Sequence, residues 1–131
     1  PLAPGPTTAR VHGAFPVVAY EGAAIPADRG PLPNRDGSPS TCRILMTEGI
    51  LRLDSLTGGF EQSYVERDSC EGRVLSNPSW SGGYTQDGAF LVFMVPSVDQ
   101  PTRFTGVVQE TEISVIWGTF TGAVTMRYRW R

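Results

Sequence analysis

The sequence has no lysine and a single histidine, His12, so only one imidazole is available as a general base or as a nitrogen ligand for a metal. All 11 basic residues of the 131-residue chain are arginine, and the net charge is −2, so no overall basic field attracts nucleic acid. The chain also lacks the His-Glu-x-x-His, Gly-x-Ser-x-Gly and Walker motifs of hydrolytic and nucleotide chemistry. We therefore predict that the protein is not an enzyme, binds no nucleic acid and uses no metal or other cofactor.

Long apolar runs are absent too. The longest, residues 89–95, has the length of a strand, whereas a membrane-crossing helix needs about 18 apolar residues or more. We expect no transmembrane helix in this sequence. The sequence begins at Pro1 with neither an initiator methionine nor a signal peptide, and we expect the natural chain to begin upstream of it.

Cysteine is scarce, with only Cys42 and Cys70 in the chain. No Cys-x-x-Cys pair occurs, and one histidine cannot complete a common zinc set. Cys70 lies in a polar turn, where a free thiol would be a liability. The pattern therefore favours one disulfide formed in an oxidising compartment, and the alternative is two unrelated buried thiols in a cytosolic protein.

No segment shows a helical stripe of apolar residues, while glycine (15) and proline (11) are abundant and scattered. Residues 1–12 are rich in proline and predict an extended tail. Residues 13–131 form a single domain of about eight to nine short strands separated by turn signals. We predict an all-β antiparallel meander that closes, or nearly closes, into a lipocalin-like barrel, with a β-sandwich as the alternative.

Individual turns and strands follow from the same signals. Asp87–Gly88 is the strongest hairpin turn in the chain. Glu48–Gly49 predicts a turn between two strands, and residues 28–41 predict a long loop because they contain repeated proline and glycine. In the last strand, residues 122–130, apolar and polar residues alternate with the period of a half-buried strand.

The layout resembles a known family of proteins. The opening run from Val17 to Pro26, the chain of hairpins after it, and the repeats Phe104-Thr105-Gly106 and Phe120-Thr121-Gly122 resemble small lipocalin-like (calycin-type) β-barrels of the bacterial envelope. The resemblance implies a barrel and an exported protein, located in the periplasm or at the cell surface of a bacterium. It assigns no functional residue.

Aromatic residues are the first candidates for a binding site. On the predicted strands, alternation places four of them on inward faces, where they could line a cavity for a small apolar ligand: Phe60, Tyr64, Trp80 and Tyr84. The alternative is that these side chains form the barrel core, which is where aromatic side chains commonly lie.

A partner surface is the second candidate. The strand at residues 90–95 is apolar on both faces, although one face of an antiparallel sheet commonly meets water. Arginine and aromatic residues, which are enriched at interfaces, also crowd the C-terminus. The candidate interface residues are Phe90, Val92, Met94, Arg127, Arg129 and Arg131. Burial of the strand under a loop and a solvated, arginine-guarded strand edge are the alternatives.

Two hypotheses follow from these candidates. The first is a non-catalytic interaction or structural module, an accessory subunit on a larger envelope assembly. The second is a carrier or sensor of a small apolar ligand held in the barrel. We favour the first.

Overall fold

The computed structural model describes residues 10–96, 102–119 and 122–130. Eleven β-strands account for nearly all regular structure in these ranges, and none of the described residues forms a helix that could span a membrane. The strands are β1 (Gly13–Tyr20), β2 (Ala23–Ala24), β3 (Ala27–Pro31), β4 (Arg43–Asp54), β5 (Gly59–Asp68), β6 (Val74–Ser76), β7 (Ser79–Asp87), β8 (Phe90–Val95), β9 (Thr102–Gln109), β10 (Glu112–Thr119) and β11 (Gly122–Arg129).

Eight of the strands close into an antiparallel barrel in the order β1, β4, β5, β7, β8, β9, β10, β11. Closure comes from β1, which pairs with β11 along its second half and with β4 along its first half. The short strands β2, β3 and β6 add to β1, β4 and β5. The closed barrel confirms the predicted fold class and rules out the sandwich.

Strand β4 corrects one sequence prediction. The expected turn at Glu48–Gly49 is wrong, because the chain continues through both residues and pairs with β5 from Ile44 to Asp54. An irregularity between Met46 and Glu48 inserts one residue there, which is how a β-bulge disturbs the alternation. A side chain at Gly49 would put its Cβ 2.7 Å from the Cγ2 of Val17, so glycine serves close packing here.

Other turn signals agree better with the structure. The Asp87–Gly88 hairpin joins β7 to β8 as predicted, with Asp87 paired to Phe90 and Gly88 at a φ of 62°. The expected loop at residues 28–41 is shorter than predicted, because β3 takes up its first residues. The segment between β5 and β7 contains the three-residue strand β6.

The barrel interior is filled by side chains around Trp117, which is completely buried. Its ring lies 5.1 Å from the ring of Phe93 and 5.9 Å from that of Phe60. The indole N–H donates to the hydroxyl of Tyr128 at 2.7 Å, and that hydroxyl donates to Oε1 of the buried Gln62 at 2.9 Å. Burial raises the pKa of Tyr128 far above its ordinary value, so the hydroxyl keeps the proton that it donates.

The lower end of the barrel, where β4 turns into β5, is covered by residues 10–12. The carbonyl of Val11 accepts a hydrogen bond from the Tyr84 hydroxyl at 2.7 Å, and Nδ1 of His12 accepts one from the N–H of Ser55 at 3.0 Å. The guanidinium of Arg10 lies 4.8 Å from the centre of the Tyr84 ring. The remainder of the predicted tail, residues 1–9, lies outside the described residues.

The upper end carries the disulfide. Cys42, just before β4, is bonded to Cys70, just after β5, with a Cα–Cα distance of 5.5 Å. This confirms the predicted disulfide. Strands β4 and β5 already pair with each other. The disulfide therefore fixes the loop that leads into β4 and the loop that follows β5.

Candidate functional site

The four predicted ligand residues all point into the barrel, but they lie at two levels. Phe60 and Tyr84 are only 4% and 3% exposed. Phe60 packs edge-on against Phe93 with ring centres 5.0 Å apart, and Tyr84 contacts the covered lower end. These two side chains are part of the core, so a ligand at this level would have to displace packed rings.

Tyr64 and Trp80 lie higher and are only half-buried. Their rings meet edge-to-face at 6.0 Å, and Trp80 also packs against Trp117 at 5.4 Å. The Nε1 of Trp80 is buried and has no hydrogen-bond partner among the residues that the structure describes. An unpaired indole N–H costs about 1–3 kcal/mol when buried, so this atom is the polar group at this level best placed to receive an acceptor.

An arginine that the sequence did not reveal lies beside these rings. The guanidinium of Arg29, on β3, is 4.7 Å from the ring centre of Tyr20 and 5.8 Å from that of Tyr64. It donates to Oε2 of Glu66 at 2.5 Å, and the hydroxyl of Ser76 donates to Oε1 of the same carboxylate at 2.7 Å. We call Tyr20, Arg29, Tyr64, Glu66 and Trp80 the upper cluster.

The charge of Arg29 in the upper cluster is balanced by its ion pair with Glu66. Burial by itself would lower the pKa of Arg29, but its hydrogen bond to Tyr64 and the charge of Glu66 raise that pKa above the ordinary value. Burial raises the pKa of Tyr20, so its ring stays uncharged beside the guanidinium. The cluster offers aromatic faces and one N–H donor for which the described residues supply no acceptor.

Metal binding finds no support in the arrangement of side chains. Across residues 10–96, 102–119 and 122–130, no group of three or more His, Cys, Asp or Glu side chains is placed to hold a metal ion. The buried carboxylate of Asp68 is already engaged, accepting a hydrogen bond from the N–H of Cys70 at 2.9 Å and pairing with Arg73.

The outer wall of β8 exposes the predicted apolar face. Phe90 is 64% exposed, while Val92 and Met94 are half-buried and alternate with the completely buried Leu91 and Phe93. All of the described strands belong to the single barrel sheet, so none of them forms a second layer over this face. The role of this face as an interface stays a prediction.

Two neighbouring strands extend this apolar face. On β9, Val107 is the register partner of Phe90, and Thr105 is the register partner of Val92. On the other side of β9, Thr105 is paired with Ile116 of β10. Ile116 is 51% exposed. We call this surface the outer apolar strip; it consists of Phe90, Val92, Met94, Val107 and Ile116.

The C-terminal arginines stand on the barrel wall instead of at a sheet edge, because β11 pairs with β10 on one side and with β1 on the other. Arg127 and Arg129 both pair with Glu112, at 3.4 and 2.7 Å. The hydrogen bond from Arg129 holds the pKa of Glu112 below its usual range. The role of Arg127 and Arg129 in an interface stays a prediction. Arg131 lies outside the described residues.

Comparison of the chain with family models, with curated proteins and with solved structures gives no match in any of the three.

Proposed function

We propose that this chain is a non-catalytic interaction module that docks onto a partner protein through the outer apolar strip. The observation that carries the proposal is the position of the strip: five apolar side chains lie on the outer faces of three neighbouring strands, and two of them, Phe90 and Ile116, are more than half exposed. Contiguous exposed apolar surface of this kind, with a polar rim, is typical of protein interaction sites.

The energetics of the strip support docking. Complete burial of a side chain such as Phe90 or Ile116 contributes about 1.5–3 kcal/mol, and both are more than half exposed in the free protein. Thr85 on β7 borders the strip beside Val92, whereas Thr105 on β9 lies within it, between Val92 and Ile116. An apolar centre inside a polar rim is the usual composition of a protein interface.

The setting of such a module follows from the disulfide and the layout. A Cys42–Cys70 disulfide supports export, since these bonds persist in oxidising compartments. The likeness in layout to lipocalin-like envelope barrels supports the periplasm or the cell surface of a bacterium. We accordingly propose an accessory subunit on a larger envelope assembly.

Removing the apolar side chains should release the protein from its assembly. In size exclusion of native extracts, the wild type should elute well above its 14.2 kDa mass, and the variant Phe90→Ser/Ile116→Ser should elute as a monomer. Both positions face outward, so circular dichroism and thermal unfolding should change little. Leu56, 92% exposed in the β4–β5 turn, provides a matched control: Leu56→Ser should co-elute with the wild type. Elution of the wild type as a lone monomer would contradict the proposal.

A second candidate function, the binding of a small apolar ligand, is favoured by one observation. The buried N–H of Trp80 has no partner in the described part of the chain and lies in the upper cluster among aromatic faces. Because the middle of the barrel is filled around Trp117, the ligand would bind at the upper end and accept a hydrogen bond from that indole.

The ligand hypothesis is tested with the fluorescent probe 1-anilinonaphthalene-8-sulfonate, which has aromatic rings and acceptor oxygens. We expect saturable fluorescence enhancement for the wild type and at least tenfold weaker binding for Trp80→Phe, which loses the N–H donor. Trp130→Phe, altered at a half-exposed ring far from the upper cluster, should bind as the wild type does. Equal binding by all three proteins would exclude the upper cluster as the site.

A further inference from the structure

We infer that the outer apolar strip binds a second copy of this chain, in a two-fold dimer with the two strips reversed end to end. This inference rests on the proposed function, because it names the occupant of the same docking surface. Isologous two-fold contacts are the commonest way in which soluble proteins self-associate.

The charges at the two ends of the strip are opposite. Asp87 is the register partner of Phe90 at the lower end, and Arg103 is the register partner of Met94 at the upper end. Both residues are exposed. Neither makes an ion pair with another residue in the described ranges, and the Nε of Arg103 donates to the sulfur of Met94 at 3.3 Å. The strip therefore has an acidic end and a basic end, each with an unpaired charge.

This polarity selects one of the two ways to stack identical strips. A two-fold axis that lies in the interface and runs across the strands reverses the second copy. Val92 then faces Val92 of the second copy, and Phe90 faces its Met94. Each end of the contact holds Asp87 of one copy and Arg103 of the other. An axis parallel to the strands would instead bring two aspartates to one end and two arginines to the other, which is unfavourable.

The contact is modest in size. One wall of a small barrel is convex, so the buried area falls at the low end for specific interfaces, about 1,200 Å² or less in total. Apolar pairing at the centre with two ion pairs at the rim is consistent with a dimer that dissociates on dilution. The rim pairs are exposed to solvent, so their contribution falls as salt concentration rises.

Sedimentation velocity of the purified full-length chain tests the inference. We expect a shift from monomer to dimer with rising concentration, and loss of the dimer in Phe90→Ser. Asp87→Arg and Arg103→Asp should each weaken dimerisation at least tenfold at low salt, and the double reversal should restore it to within about threefold. Because Asp87 precedes the glycine of a tight turn, Asp87→Asn serves as a conservative variant that suits the same turn and should weaken the dimer less.

The outcomes separate the inference from the proposed function. A wild type that stays monomeric at all concentrations overturns the inference, as does a double reversal that is no better than the two single changes. If that monomeric wild type still elutes in a large complex that Phe90→Ser/Ile116→Ser abolishes, the docking function stands with another partner. If the paired serine variant changes neither the dimer nor the complex, both proposals fail.

Discussion

Replacing Trp117 with alanine should lower the free energy of unfolding by about 3–5 kcal/mol, the usual cost of removing a buried tryptophan. Trp117 is completely buried, and its ring packs against four other aromatic rings with centres between 5.1 and 5.9 Å away. The substitution leaves a cavity in the middle of the barrel. It also removes the N–H that donates to the Tyr128 hydroxyl. Denaturant unfolding followed by circular dichroism measures the loss.

Trp130 provides a matched control for this experiment. It is 50% exposed, and among the described residues its ring contacts one other ring, that of Phe15, at 5.0 Å. Trp130→Ala removes one aromatic pair, worth about 0.5–1.5 kcal/mol beyond area burial, and a ring that is only half buried. Its cost should therefore be clearly smaller than that of Trp117→Ala. Similar losses of unfolding free energy for the two variants would mean that the packing around Trp117 is not the main contribution to the stability of the core.

Removal of the disulfide should have the second large effect. The bond joins residues separated by 28 positions in sequence, and restriction of a loop of this length in the unfolded chain stabilises a protein by about 3–4 kcal/mol. The variant Cys42→Ala/Cys70→Ala should lose this amount in denaturant unfolding, chiefly because its unfolded chain gains freedom. The double variant is preferable to either single change, which would leave a free thiol.

The native structure of the double variant should persist, because other contacts hold the same loops. Asp68 accepts hydrogen bonds from the N–H groups of Cys70 and Glu71, and the N–H of Ser69 donates to the carbonyl of Arg43. We therefore expect an unchanged near-ultraviolet spectrum with a lower unfolding midpoint. An unaltered midpoint would contradict the loop-entropy argument, and a lost spectrum would show that the bond also shapes the folded state.

The sequence predicted those elements whose signals are local. Asp87–Gly88 specifies its own hairpin, and the alternation of the last strand predicted the inward faces of Met126 and Tyr128, which are 1% and 0% exposed. Continuity of β4 through Gly49 could not be predicted, because a glycine after a charged residue signals a turn as readily as a close approach. The sequence also did not show whether the side chain of Trp117 faces into the barrel or outward.

The candidate sites depended more on tertiary structure. Phe90, Val92 and Met94 were predicted because a single strand is apolar on both faces. Val107 and Ile116 join them only through the registers of β8 with β9 and of β9 with β10. Tyr64 and Trp80 were predicted from alternation, whereas Arg29 follows a stretch with no periodicity, and only the pairing of β3 with β4 turns it towards Glu66.

At both ends of the barrel the cation that packs on tyrosine is an arginine, in a chain that contains no lysine. At each end a guanidinium lies against tyrosine: Arg10 over Tyr84 below, and Arg29 beside Tyr20 and Tyr64 above. A planar, delocalised cation stacks on a ring while its N–H groups reach oxygens, which a compact ammonium does poorly. Each stack contributes about 0.5–2 kcal/mol, far less than global unfolding. The ends of the barrel should therefore open locally while the strands of its wall stay paired. Exchange of the Trp80 indole hydrogen with solvent should accordingly be much faster than that of the Trp117 indole hydrogen.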